Sequence, residues 1–72
     1  MKIKELIEKL KSCDPEEEVI LAKDNEGNGY SPLSNISHDI YRPESTWSGE
    51  LVEYERNRKD GDIDVVTLWP VN

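Results

Sequence analysis

A chain of 72 residues has room for one thin core, because a domain this small buries only about 60% of the surface its unfolded chain exposes. Its 9 Lys and Arg stand against 16 Asp and Glu, and a net charge of −7 argues against general binding to nucleic acid, whose affinity comes from cations that neutralise phosphates. The single cysteine, Cys13, excludes an internal disulfide and an all-cysteine metal cage and fits a reducing compartment, which leaves self-association as the expected source of extra stability.

The opening residues place Ile3, Leu6, Ile7 and Leu10 at the i, i+3, i+4, i+7 spacing of one helix face, with Lys2, Lys4, Glu5, Glu8, Lys9 and Lys11 on the other. Glu5 and Lys9 add an acid-before-base pair one turn apart. The helix, about three turns long, is expected to end near Ser12 to Asp14, since Pro15 disfavours helical geometry in the residue before it. The mixture of charges through this segment is unlike a signal peptide, and no stretch approaches the ~20 apolar residues of a membrane span, so a cytoplasmic address is expected.

Glu18 to Ala22 is a short, almost continuous apolar run with β-branched residues, which predicts a central strand. Asp24 to Gly29 is turn chemistry and predicts a hairpin loop. Its Asp24-x-Glu26-x-Asn28-Gly29 pattern is similar to the opening of a calcium loop, but Asn35 stands where the closing glutamate belongs and Pro32 interrupts the loop, so no calcium is expected.

A second strand is expected from Leu33 to Tyr41, where Ile36, His38 and Ile40 alternate with Ser37, Asp39 and Tyr41, and Pro43 marks its end. Glu44 to Gly49 is a polar loop around Trp47. Glu50 to Arg56 alternates again, Arg56 to Gly61 forms a charged turn, and Ile63 to Trp69 makes the last strand before Pro70. The expected fold is one α+β domain over residues 1–72: an N-terminal helix packed on a small, mainly antiparallel sheet of about four strands in the order α-β-β-β-β. One helix covers one face of a sheet. Ile63, Val65 and Trp69 share one parity while Val66 and Leu68 share the other, so an apolar face is left over and a homo-oligomer is expected.

Chemistry-bearing motifs are sparse. His38 lies between Ile36 and Ile40 and reads as a strand residue. Cys13 follows a helix C-terminus, whose partial negative charge opposes thiolate formation. Asp60, Asp62 and Asp64 read as a solvated strand start, and no phosphate-cradling glycine loop is present. The chain is therefore expected to bind without catalysis and without a cofactor. Its candidate ligand-binding residues are Tyr30, Tyr41, Arg42, Trp47, Arg56 and Arg58, aromatic rings and guanidinium forks in or beside polar loops that suit stacking on a base and gripping a phosphate.

Four segments carry a resemblance: Lys2-Ile3-Lys4-Glu5-Leu6-Ile7-x-x-Leu10, Asp14-Pro15-Glu16-x-Glu18-Val19, Gly29-Tyr30-Ser31-Pro32-Leu33 and Val66-Thr67-Leu68-Trp69-Pro70. Together they resemble the short proteins of tailed bacteriophages and prophages. The resemblance implies an accessory product made in the host bacterial cytoplasm and used against host defence. The leading expectation is an oligomer that sequesters a nucleotide immune signal, a cyclic nucleotide or an ADP-ribose-type molecule, between the Tyr30 and Trp47 loops of two protomers, with Arg42 or Arg56 to Lys59 on phosphate. The rival is an acidic inhibitor of a host defence or nucleic-acid-processing protein, using Glu16, Glu17, Glu18, Glu53 and Glu55. A small virion or assembly component is a third class.

Overall fold

The computed structural model describes residues 1–22 and 29–71. Helix α1 spans Ile3–Leu10, and strands β1 to β4 span Glu18–Leu21, Leu33–Pro43, Gly49–Val52 and Ile63–Pro70. The domain is α+β in the expected order, with one N-terminal helix and a mixed four-stranded sheet among the described residues. No described helix is long and apolar enough to cross a membrane.

The helix follows the 3.6-residue period of its apolar positions, but it is eight residues long, nearer two turns than three. The Lys2 carbonyl accepts from the Glu5 and Leu6 amides at its start. After Lys11 the chain turns, and the Asp14 carboxylate accepts from the Glu16 amide across Pro15 at 2.9 Å, a local side-chain turn that redirects the backbone into β1. The N-terminal amine donates to the Leu33 carbonyl, 3.2 Å away, and so ties the start of α1 to the start of β2.

The strands lie in the order β1-β4-β2-β3. This corrects two expectations. Residues 18–22 do not form a central strand, because β1 pairs only with β4, in parallel, and stands at an edge. Nor do β1 and β2 pair as a hairpin, since β4 lies between them and pairs antiparallel with β2 from Leu33↔Pro70 to Tyr41↔Ile63. The long β2 ladder outcompetes local hairpin closure because it satisfies most of the backbone groups of two strands at once. Residues 24–28, the calcium-like turn, lie outside the described residues. The third expected strand is also shorter than its alternation suggested: β3 stops at Val52, and Glu55–Asn57 forms a single 3-10 turn.

Partners across each ladder face the same side, so the register sorts the sheet into two faces. Ile20, Ser37, Tyr41, Leu51, Thr67 and Trp69 share the first. Val19, Leu21, Ile36, Ile40, Val52, Val66 and Leu68 share the second. The apolar core is thin, with Val52, Val65 and Val66 its buried hydrophobic members. Two of the three lie on β4, which has a strand on each side. The accessible surface is 5951 Å², whereas a compact monomer of this mass exposes about 4,600 Å². The radius of gyration of 13.0 Å likewise exceeds the ~11 Å of a compact 72-residue domain.

Candidate functional site

Among the described residues, two concavities stand out beside the sheet. The larger is an open groove of about 530 Å³ on the first face. Tyr41, Leu51, Ile20 and Trp69 reach it from four strands, and Trp47 reaches it from the β2–β3 connection. The loop that carries Trp47 is built by serine chemistry. Ser45 Oγ accepts from the Trp47 and Ser48 amides at 3.2 and 3.1 Å, and the Ser48 carbonyl accepts from the Glu44 and Ser45 amides, both at 3.0 Å. This closed turn presents the indole outward, 74% exposed. Across the groove the Trp69 indole N–H donates to Ser37 Oγ at 2.7 Å, and Ser37 in turn donates to Asp39 at 2.5 Å, which fixes the second ring. Gly49 lies under the Tyr41 ring: a β-carbon there would meet the Tyr41 hydroxyl and lie 2.5 Å from the Arg42 carbonyl oxygen. At the groove floor the Thr67 hydroxyl is buried without a hydrogen-bond partner among the described residues.

The smaller hollow, about 310 Å³, is lined by Glu17, His38, Asp39, Glu53 and Asp64 together with Ile40, Val52 and Val65. His38, Ile40, Val52 and Asp64 belong to the second face, so the hollow opens mainly on the side opposite the groove. Glu17 Oε2 is shielded from solvent and accepts no hydrogen bond from the described residues. No three or more His, Cys, Asp or Glu side chains are gathered to hold a metal among the described residues.

The candidate residues read from the sequence are thus dispersed. Tyr41 and Trp47 share the groove. Tyr30 is fully exposed and is not among the residues lining either concavity. Arg42 is committed to a carboxylate: its Nε and Nη2 donate to the two oxygens of Asp62 at 3.0 and 2.9 Å, and Nη2 also donates to the Asn57 carbonyl at 3.1 Å. Asp62 is buried, not the solvated strand start its sequence suggested, because this fork and the Lys59 amide at 2.9 Å replace its water. The Arg42 guanidinium holds the Asp62 carboxyl below the usual carboxylate range, and the Lys59 amide adds to the effect. Arg58 makes a second fork, 2.9 and 3.3 Å to the two oxygens of Asp64. Arg56 stacks on Tyr54, 4.6 Å from the ring centroid.

Sequence reasoning missed Ile20, Leu51 and Trp69 as groove walls. The only signal available was strand parity, and parity places residues on a common face only once the pairing partners are known. Of the expected acidic set, Glu17 and Glu53 meet in the hollow, Glu55 lies 3.6 Å from Arg58, and Glu16 and Glu18 are exposed. No protein-family model, curated protein or solved structure matches the chain.

Proposed function

We propose that the protein is a phage accessory protein of the bacterial cytoplasm that acts stoichiometrically, without catalysis, by occupying the basic nucleic-acid-binding surface of a host defence protein. One observation carries this reading: Glu17 and Glu53 line one hollow of a chain whose net charge is −7, and Glu17 Oε2 there has no hydrogen-bond partner among the described residues. A carboxylate oxygen withdrawn from water and left unpaired is costly, and a partner's Arg or Lys removes that cost. The spread of carboxylates suits an extended cationic surface, since the described donors are not gathered as a metal site requires.

A nucleotide-sequestering reading keeps the support of Tyr41 and Trp47 sharing one groove. It is the weaker of the two because two of its phosphate-gripping groups, Arg42 and Arg58, already donate to Asp62 and Asp64. Among the described residues that line the groove, the charged one is Glu50, which pairs with Arg42 at 3.7 Å.

The test is capture from host lysate with the wild-type chain and with Glu17→Lys/Glu53→Lys, across a salt series, alongside native mass spectrometry with cyclic dinucleotides and ADP-ribose. The expected result is one basic host protein captured by the wild type alone, with an association rate that falls about tenfold or more between low and physiological salt. Equal capture by the charge-reversed variant rules the acidic reading out. A mass gain from a nucleotide moves the assignment to the groove.

A further inference from the structure

Thr67 is 1% exposed, and its hydroxyl meets no hydrogen-bond partner among the described residues. The register explains why. On the first face Thr67 stands between Ile20 of β1, which offers only carbon, and Ser37 of β2. The Ser37 hydroxyl donates its one proton to Asp39 and accepts from the Trp69 indole, so Thr67 is left out of that chain of bonds. A buried hydroxyl without a partner gives up water and regains nothing, whereas valine, present beside it as Val65 and Val66, fills the same space without that loss. A threonine at this place answers a need that the described contacts of the chain do not meet.

Thr67 lines the open groove of about 530 Å³, a volume within the range of small-molecule sites. Two rings stand in the same groove in fixed positions: Trp69 is held by its bond to Ser37, and Tyr41 lies close over Gly49. Leu51 and Ile20 add to the walls. Flat apolar walls around one polar atom fit a flat ring that carries a hydrogen-bonding group. Charge narrows the class further. Glu50, the charged residue among the described lining residues, pairs with Arg42 at 3.7 Å, and the register places both on the second face. An ion buried in the groove would find no counter-charge among the described residues, so the occupant is neutral. We infer that the groove is a binding site for an uncharged aromatic heterocycle whose N–H or O–H group bonds Thr67 Oγ1. The site is separate from the acidic hollow, and it needs no phosphate, which distinguishes it from nucleotide capture.

The experiment is a heteronuclear NMR titration of the isotope-labelled chain with two probes of one shape: indole, which donates an N–H, and indene, which has a methylene in its place. Both are expected to shift the Trp69 indole N–H and the Leu51 and Thr67 amides. Indole is expected to bind about fivefold or more tightly than indene, the scale of one neutral hydrogen bond. In Thr67→Val that preference should vanish while the affinity for indene holds, and in Thr67→Ser it should return. Equal affinities for the two probes in the wild type, a preference that survives Thr67→Val, or an absence of shifts at the groove residues overturns the inference. A second measurement needs no ligand. Thr67→Val alone is expected to unfold at the same urea concentration as the wild type or a higher one, since no bond within the protein is lost. A lower midpoint means that the hydroxyl is already bonded, and it overturns the inference as well. Neither measurement touches Glu17 or Glu53, so failure here leaves the acidic-surface reading standing.

Discussion

At residue scale, the Arg42–Asp62 fork satisfies both oxygens of a buried carboxylate. It joins β2 to the segment that leads into β4, and through the Asn57 carbonyl it also holds the 3-10 turn in place. Because the folded-state Asp62 carboxyl titrates below its unfolded value of 3.8, the native chain binds fewer protons there than the unfolded chain as pH falls. The fork's contribution is therefore complete above that unfolded value and is lost as pH drops through the lower folded one. Urea unfolding midpoints measured from about pH 5 to about pH 2 should fall more steeply for the wild type than for Asp62→Asn; parallel slopes would show that the fork adds no pH-dependent stability. The sequence marked Arg42 as a chemically capable residue, but its partner was hidden. Asp62 is 20 residues away, and the two meet because the β2–β4 register sets Tyr41 against Ile63. No local pattern encodes that pairing.

At the scale of elements, β3 shows how one glycine positions an aromatic ring. Gly49 lies beneath Tyr41 with no room for a β-carbon, so the ring stays close to the backbone and one wall of the groove keeps its place. Gly49→Ala should therefore lower the unfolding free energy by about 1–3 kcal/mol, the range for overpacking a close contact, read by urea denaturation. A neutral result would mean that Tyr41 moves aside freely. The helix and the existence of four strands were legible because periodicity is a property of consecutive residues. The position of β1 was not. An apolar run on both parities reads as a central strand, yet here it marks an edge strand with Val19 and Leu21 57% and 68% exposed. Sequence pattern reports which side chains want burial, and it is silent on whether the same chain provides it.

For the molecule as a whole, the apolar residues on both parities of the first strand leave Val19 and Leu21 57% and 68% exposed. Self-association stabilises by mass action, so a homo-oligomer of this chain should show a thermal midpoint that rises by about 4 °C for each tenfold increase in protein concentration, measured by scanning calorimetry. A midpoint independent of concentration would mean that the monomer is stable as it stands. The order of strands carries one more consequence, concerned with timing. The strand that bonds to both β1 and β2 is the last of the four to be synthesised. When the ribosome has delivered residues 1–62, β1 still lacks its sole partner and β2 has only the short β3 beside it. Sheet assembly must therefore wait for residues 63–70, and a premature stop anywhere before Ile63 removes the strand that joins β1 to β2.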